Sequence, residues 1–231
     1  MLSKEKKMMM MIITKYLFTI EKIDFLYLYF IIKKMPLKNK GTGAGGKNTN
    51  KSGKTFEEKV YLQNNLIKYG FKKTIVNKNK FGFYYHLETK NINIYYTIQS
   101  GFTTLMKKIY DKNTIRCPDE AIIIHQKNKK PILVIFEIKN QNVEGSVETK
   151  LWASPSLKEE YKIYYENFFR VEYLLIFNEF LQNKFLENEK FEILQKILNK
   201  NKISCFCGDE PNYLKNIENH FFNKFFNKLK I

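Results

Sequence analysis

The chain has 231 residues, and 40 Lys and Arg against 23 Asp and Glu give it a formal net charge of +17. A surplus of this size favours a polyanionic partner, because phosphate contacts release counterions, although a coding bias toward lysine and asparagine explains part of it. Hydrophobic residues make up 44% of the chain, which suits a folded domain with a real core. Three cysteines form no disulfide framework, so they argue against a secreted protein and indicate an intracellular (cytoplasmic) location.

The first 34 residues contain four consecutive methionines and an apolar stretch that charged residues interrupt. The longest clean apolar run, residues 25–32, is far shorter than the roughly 18 residues that span a membrane. No small-residue cleavage site follows, so a secretory signal is a poor fit; an amphipathic membrane-surface helix is a less favoured alternative. Met35 resembles a natural start. We therefore interpret residues 1–36 as an extension outside the native fold and residues 37–231 as a single domain without membrane association.

The region after the extension predicts an arm and then a helix. Residues 38–54 are rich in Gly, Lys, Asn, Ser and Thr, which indicates a flexible arm that contacts phosphates or a disordered linker. Residues 55–69 carry apolar side chains near helical spacing and end before Gly70, so they predict a helix. Glu57 lies in its first turn, where a carboxylate also suits the helix dipole.

The rest of the chain alternates strand and helix patterns. Strands with turns at residues 77–80 and 90–91 are expected within residues 71–99, and further strands at 120–126, 132–138, 172–177 and 202–207. Helices are expected at residues 102–110, 147–152, 156–169 (after an interruption at Pro155), 185–198 and 212–228. This order predicts an α/β fold in which helices flank a mixed central β-sheet on both faces.

Charged side chains stand at one end of the predicted hairpin of residues 120–126 and 132–138. Glu137, Lys139 and Gln141 project from one face of a strand that is otherwise apolar, and Asp119 precedes the partner strand. Buried charges are costly unless they are paired or bind a metal. Two carboxylates and a lysine suit Mg²⁺ and a phosphate-bearing substrate, whereas the simpler interpretation is a buried Glu–Lys pair.

These residues also resemble a known family. Pro118-Asp119 followed by Glu137-Ile138-Lys139 is similar to the signature of the PD-(D/E)XK nuclease superfamily. Residues 46–57, with the pattern G-x-x-T-N-x-x-G-x-x-F-E, and residues 142–151, N-V-E-G-S-V-E-x-K-L, resemble type II restriction endonucleases within it. The similarity covers most of the chain from about residue 40 onward.

The resemblance implies Mg²⁺-dependent hydrolysis of phosphodiester bonds in double-stranded DNA and a restriction-endonuclease-like core. Asp119 and Glu137 match the metal ligands, Lys139 the catalytic lysine and Glu57 an additional acidic residue; Gln141 is a candidate for orienting water or touching DNA. A palindromic site cut on both strands implies a homodimer, and a restriction enzyme implies a restriction-modification system.

The candidate DNA contacts lie on both sides of this hairpin, although such lysines are more often part of a solvated surface. They are Lys47, Asn50, Lys54, Lys150 and Lys158. Two other functions remain open. A repair or recombination nuclease of the same superfamily would read DNA structure instead of sequence, and a non-catalytic basic protein would only bind DNA.

Overall fold

The computed structural model describes residues 47–142 and 147–221, with side chains from Lys54 and, in the second range, from Glu148 onward. The strands are β1 (Lys72–Ile75), β2 (Phe83–Glu88), β3 (Ile92–Ile98), β4 (Glu120–Gln126), β5 (Ile132–Lys139), β6 (Arg170–Phe177) and β7 (Ser204–Cys207). The longer helices are α1 (Lys47–Val60), α2 (Gly101–Tyr110), α3 (Val147–Tyr164), α4 (Glu179–Glu187), α5 (Glu192–Lys200) and α6 (Tyr213–Phe221). Short helical turns are Gln63–Leu66, Ile67–Tyr69 and Glu189–Phe191.

The seven strands form one sheet in which spatial order follows chain order. Strands β1 to β5 are antiparallel neighbours, whereas β5, β6 and β7 run parallel. Parallel neighbours need long crossovers, and α3 supplies the first while α4 and α5 supply the second. The expected mixed sheet is confirmed, and so are the turns that separate β1, β2 and β3.

Helices cover both faces of the sheet, as the alternation of side chains along β5 shows. Leu133 and Ile135 pack with buried residues of α2, α3, α4 and α5, whereas Val134 and Phe136 pack on the opposite side with α1 and α6. All four of these β5 side chains are fully buried. A strand buried on both faces reads as a continuous apolar run, which explains the sequence pattern of residues 132–138.

Two predicted boundaries were wrong at the N-terminal side. Residues 47–54, expected in a flexible arm, belong to α1, and the helix predicted to reach residue 69 ends at Val60. A one-turn helix and a 3₁₀ turn then continue to Gly70, whose φ of 83° is left-handed and suits glycine. Residues 38–46 of the predicted arm lie outside the described residues, as does the predicted extension of residues 1–36.

Two helix predictions in the second half of the chain also differ from the structure. Pro155 lies inside α3, which is continuous, because Leu151 and Tyr161 are buried on either side of the proline and hold one helix against the sheet. Conversely, the helix predicted over residues 185–198 is divided. Asn188 adopts extended backbone angles and its side chain accepts a hydrogen bond from the Lys190 N–H, which starts a new turn. Residues 222–228 of the last predicted helix lie outside the described residues.

Candidate active site

The site is built where β4 begins and β5 ends. Glu120 pairs with Phe136 in the antiparallel register, so Asp119 and Glu137 are the next pair in line on the same side of the sheet. The Ile138 N–H donates a hydrogen bond to Asp119 Oδ2 at 2.7 Å. The register of the hairpin therefore brings together the two carboxylates that the sequence places 18 residues apart.

Lys139 holds its ammonium among oxygens of this hairpin. Nζ donates to Glu137 Oε1 and to the Ile138 carbonyl at 3.2 Å, and it lies 3.9 Å from Asp119 Oδ2. The side chain of Lys139 is 14% exposed and those of the two carboxylates are each 22% exposed. The group is therefore largely enclosed, with a positive charge among three oxygens.

Asp119 is the electrostatically perturbed member of the group. Burial, and next the negative charge of Glu137, raise the pKa of Asp119 from 3.8 to about 7. The charge of Lys139 and the hydrogen bond from Ile138 act in the opposite direction but do not cancel these effects. Near neutral pH Asp119 therefore titrates, and a cation that takes the place of its proton becomes favourable.

Glu57 reaches the same region from α1, and two side chains orient it. The Tyr61 hydroxyl donates to Glu57 Oε2 at 3.2 Å, and the Gln99 amide donates to the Tyr61 hydroxyl at 3.0 Å and to Glu57 Oε2 at 3.4 Å. Burial raises the pKa of Glu57, while Tyr61 and the charge of Lys139 lower it. The structure thus brings Glu57 within the electrostatic reach of the hairpin site.

Sequence reasoning missed Tyr61 and Gln99. Tyr61 follows Glu57 by four residues, a spacing that puts two helical side chains side by side, so this contact had a signal in the sequence. Gln99 had none: it has a left-handed φ of 44°, and its N–H donates to the Asp119 carbonyl at 3.1 Å. Non-glycine residues with positive φ often mark functional positions.

Glu120 is a buried carboxylate beside the site that the sequence analysis treated only as the start of a strand. It is 1% exposed, and its two oxygens accept from the Leu62 N–H at 3.2 and 3.4 Å. Burial raises the pKa of Glu120 well above its usual range, while bonds from Leu62 and Tyr96 oppose that rise. Glu120 ties the segment after α1 to β4, and so fixes the helix that carries Glu57 next to Asp119.

A cleft of about 590 Å³ opens in front of these residues. Asp119, Lys139 and Glu57 line the cleft. Glu137 is not among the described residues that line it, but it forms an ion pair with Lys139, which does. Its cationic lining residues are Lys54, Lys80, Lys139 and Lys150. Positive charge surrounds the acidic group, an arrangement that suits a phosphate-bearing substrate.

The predicted DNA contacts fall into three groups. Lys54 and Lys150 are exposed and line the cleft. Lys47 and Asn50 lie on α1, but their side chains lie outside the described residues. Lys158 differs from the prediction: it is only 7% exposed, and its ammonium donates to the carbonyl oxygens that follow α5 at 2.8 and 3.0 Å. A cation at a helix C-terminus stabilises the fold, so Lys158 is not available to DNA.

Gln141 also departs from its predicted role. Its side chain is 6% exposed and is not among the described residues that line the cleft. Its N–H donates to Asn178 Oδ1 at 3.1 Å, and its carbonyl accepts from Asn178 Nδ2 at 2.9 Å. Gln141 therefore joins the end of β5 to the end of β6, and we assign it no contact with water or DNA in the cleft.

The donor chemistry of the hairpin fits a hard cation such as Mg²⁺. In residues 47–142 and 147–221, no three His, Cys, Asp or Glu side chains form a group that could hold a metal. Asp119 and Glu137 nevertheless offer two carboxylates, and the Ile138 carbonyl faces the same ammonium. Mg²⁺ commonly uses only one or two carboxylates and keeps several waters, so this oxygen set is sufficient in number and kind.

Comparison with protein-family models, with curated proteins and with solved structures gives no match to this chain. Within the part of the chain that the structure describes, no helix combines the length and apolar character needed to cross a bilayer. The side chains around the cleft and the motifs that they form are therefore the features that bear on function.

Proposed function

We propose that this chain is a Mg²⁺-dependent DNA endonuclease of the PD-(D/E)XK kind that hydrolyses phosphodiester bonds in double-stranded DNA. One observation carries the proposal. Asp119 and Glu137 lie opposite each other at the ends of two core strands, with the ammonium of Lys139 between them. A structural ion pair with Lys139 would need only one carboxylate. The second carboxylate, Asp119, has a pKa raised to about 7, so its ionised form destabilises the fold, and such unfavourable groups are typical of functional sites.

Each residue has a distinct role in the proposal. Asp119 and Glu137 would hold the Mg²⁺ ion, which when bound neutralises charge on the phosphate and makes water a better nucleophile. Lys139 orients the attacking water and stabilises the negative charge that develops on the phosphate oxygens. Glu57, which lines the cleft and is oriented by Tyr61 and Gln99, is an additional ligand for the attacking water.

The reaction is an in-line displacement at phosphorus. Water attacks the phosphorus atom and the bond from phosphorus to the 3′ oxygen breaks. The proton that the water loses passes to a carboxylate or to solvent, and the departing 3′ oxygen takes up a proton from solvent. We expect a 5′-phosphate product, by resemblance to the family. Lys54 and Lys150, exposed at the cleft, bind the flanking backbone through charge.

The finer proposal is a type II restriction endonuclease. Cutting both strands of a palindromic site requires two active sites, so the expected assembly is a homodimer. The alternative, a repair or recombination nuclease, would use the same chemistry without a fixed recognition sequence. The pattern of DNA fragments separates the two.

The test is incubation of the purified protein with a mapped plasmid, in Mg²⁺ and in EDTA. Discrete Mg²⁺-dependent fragments are expected, and Lys139→Ala should reduce the rate at least about 10²-fold. The matched control is Lys162→Ala, which removes the same charge from an exposed lysine paired with Glu159 on α3 and should cut like the unaltered protein.

Other outcomes reject part or all of this proposal. A smear that needs Mg²⁺ and Lys139 rejects the restriction enzyme in favour of a less specific nuclease. Salt-sensitive DNA binding without cleavage, in protein shown to be folded, rejects catalysis and favours the non-catalytic DNA-binding protein.

A further inference from the structure

The turn between β1 and β2 is a braced loop at the edge of the cleft. The Asn79 N–H donates to Asn77 Oδ1 at 3.0 Å, and the Gly82 N–H donates to the Asn79 carbonyl at 2.8 Å. The Gly82 carbonyl accepts from the Val76 N–H at 2.7 Å. These bonds brace the backbone of the turn, so the positions from which its side chains project are preorganised.

The turn is also packed against the segment that supports the candidate active site. A Cβ atom at Gly101 would lie 2.7 Å from the Phe81 carbonyl oxygen and 2.3 Å from Thr97 Oγ1, so only glycine fits there. Gly101 opens α2 two residues after Gln99, whose N–H donates to the Asp119 carbonyl at 3.1 Å. The close contact between Gly101 and Phe81 and the hydrogen bond between Gln99 and Asp119 therefore link the turn to the backbone of the candidate site.

Phe81 and Lys80 bring an aromatic ring and a cation to the cleft. Both line it, together with Phe83, Asp119 and Lys139. The Lys80 ammonium lies 4.8 Å from the centre of the Phe81 ring. Phe81 is only partly buried and Lys80 is exposed, so the ring is accessible from the cleft and the lysine is free to move. Together they offer a hydrophobic face and a positive charge side by side.

This pairing matches the chemistry of a nucleotide removed from a base stack. Aromatic side chains stack on exposed bases of any sequence, and lysines neutralise the adjacent phosphate. Base stacking on an aromatic ring is worth more than an exposed cation above the same ring. An arriving base therefore displaces Lys80 from the ring toward the phosphate.

We propose that the turn of residues 77–82 is a nucleotide-binding element, in which Phe81 stacks an unpaired DNA base and Lys80 contacts its phosphate beside the scissile bond. The inference rests on the proposed function and deepens it: the DNA is engaged with a nucleotide splayed out of the helix near the cut. The competing explanation is that Phe81 only packs the hairpin against the core, where it contacts the cluster of α1 and α6.

The test measures binding without cleavage, in EDTA, so it does not depend on catalysis. The probe is a single-stranded oligonucleotide that contains 2-aminopurine, whose fluorescence falls when the base stacks. Phe81→Leu and Phe81→Ala should weaken binding roughly 5- to 150-fold and abolish the fluorescence change. Phe81→Tyr, which keeps a ring, should retain both. An intact duplex of the same sequence should show a smaller fluorescence change.

Lysine variants of the same turn supply a matched comparison. Lys80→Ala should weaken binding and reduce the dependence of affinity on salt by about one ion. Lys78→Ala removes an equal charge from an exposed residue that is not among the described residues lining the cleft, and should have the smaller effect. Equal effects of the two substitutions would reject the assigned phosphate contact.

The leucine variant separates stacking from packing. It keeps apolar volume, so its thermal unfolding should stay close to that of the unaltered protein. Wild-type affinity and an unchanged fluorescence signal in Phe81→Leu would overturn the proposal. Plasmid cleavage is scored separately: an unaltered protein that stacks the probe but never cleaves DNA refutes the proposed function and the placement beside a scissile bond, and leaves only the nucleotide-binding role of the turn.

Discussion

Asp119→Asn should stabilise the metal-free protein near neutral and at alkaline pH. Burial and the charge of Glu137 raise the pKa of Asp119 from 3.8 to about 7, so the ionised carboxylate is less favourable in the folded chain than in the unfolded one. Asparagine keeps an oxygen that can accept the hydrogen bond that Ile138 N–H donates at 2.7 Å. The substitution therefore removes the charge and retains the hydrogen bond.

The size of the effect follows from the pKa. A change from 3.8 to about 7 corresponds to about 4 kcal/mol, because each pKa unit is about 1.36 kcal/mol. Solvent reaches 22% of the Asp119 side chain, and screening lowers the expected gain in the free energy of unfolding to about 1–3 kcal/mol at alkaline pH.

The gain must also depend on pH in one direction. Between the unfolded pKa of 3.8 and the folded pKa of about 7, the folded chain holds a proton that the unfolded chain has released. The contribution of Asp119 to stability is therefore intact below the unfolded pKa and declines as pH rises through the folded pKa. The difference between the variant and the unaltered protein should grow from about pH 4, near the unfolded pKa, to about pH 7, near the folded pKa, and then level off.

Urea unfolding in EDTA, at several pH values across this range, measures the difference. A difference that does not change with pH, or a variant less stable than the unaltered protein near pH 8, would refute the electrostatic reasoning. Mg²⁺ supplies a second measurement. It should stabilise the unaltered protein by an amount that rises with the logarithm of the Mg²⁺ concentration above the Kd, and should stabilise the variant much less, because one proposed ligand is lost.

Four further predictions concern other charged residues. Lys139→Met should slow cleavage at least about 10²-fold. Its Mg²⁺ affinity, measured by calorimetry, should be unchanged or higher, because the ammonium no longer competes for the carboxylates; weaker Mg²⁺ binding would contradict this. Glu120→Ala should lower the free energy of unfolding by about 1–3 kcal/mol, since a buried N–H loses its acceptor, and Glu120→Gln by less; equal losses in urea unfolding would count against that bond. Lys158→Met should destabilise the fold by about 1–3 kcal/mol without changing DNA affinity. Lys150→Ala should weaken DNA binding and reduce the salt dependence of the affinity by about one ion. Fluorescence anisotropy measures the DNA affinity of both variants.

The central hairpin was predictable because its signals are local. A β-branched run, a polar turn and a second β-branched run are adjacent in the sequence, and the alternation of side chains then aligns Asp119 with Glu137. Glu57 was found only through its motif. Its contact with Gln99 joins residues 42 positions apart, and the left-handed backbone of Gln99 leaves no trace in hydrophobic periodicity.

The errors have a common physical origin in tertiary contacts. Lys158 looks like any surface lysine of a helix, and only the distant end of α5 makes it a buried donor. The break at Asn188 was hidden because Phe185 and Phe191 on either side of it are both buried, which gives an uninterrupted apolar pattern. In both cases the deciding partner lies outside the window from which a sequence pattern is read.

The origin of the candidate site in one hairpin has a consequence for how the protein folds. Asp119, Glu137 and Lys139 come from β4 and β5, which only a short turn separates, so closing this loop costs little chain entropy. The parallel strands β6 and β7 join later in the chain through long crossovers, and such non-local pairing is slow to form. We expect the carboxylates and the lysine to meet while much of the sheet is still unformed. In that interval the ammonium of Lys139 is the counter-charge that the chain itself provides, and it allows two neighbouring carboxylates to be enclosed without a metal ion.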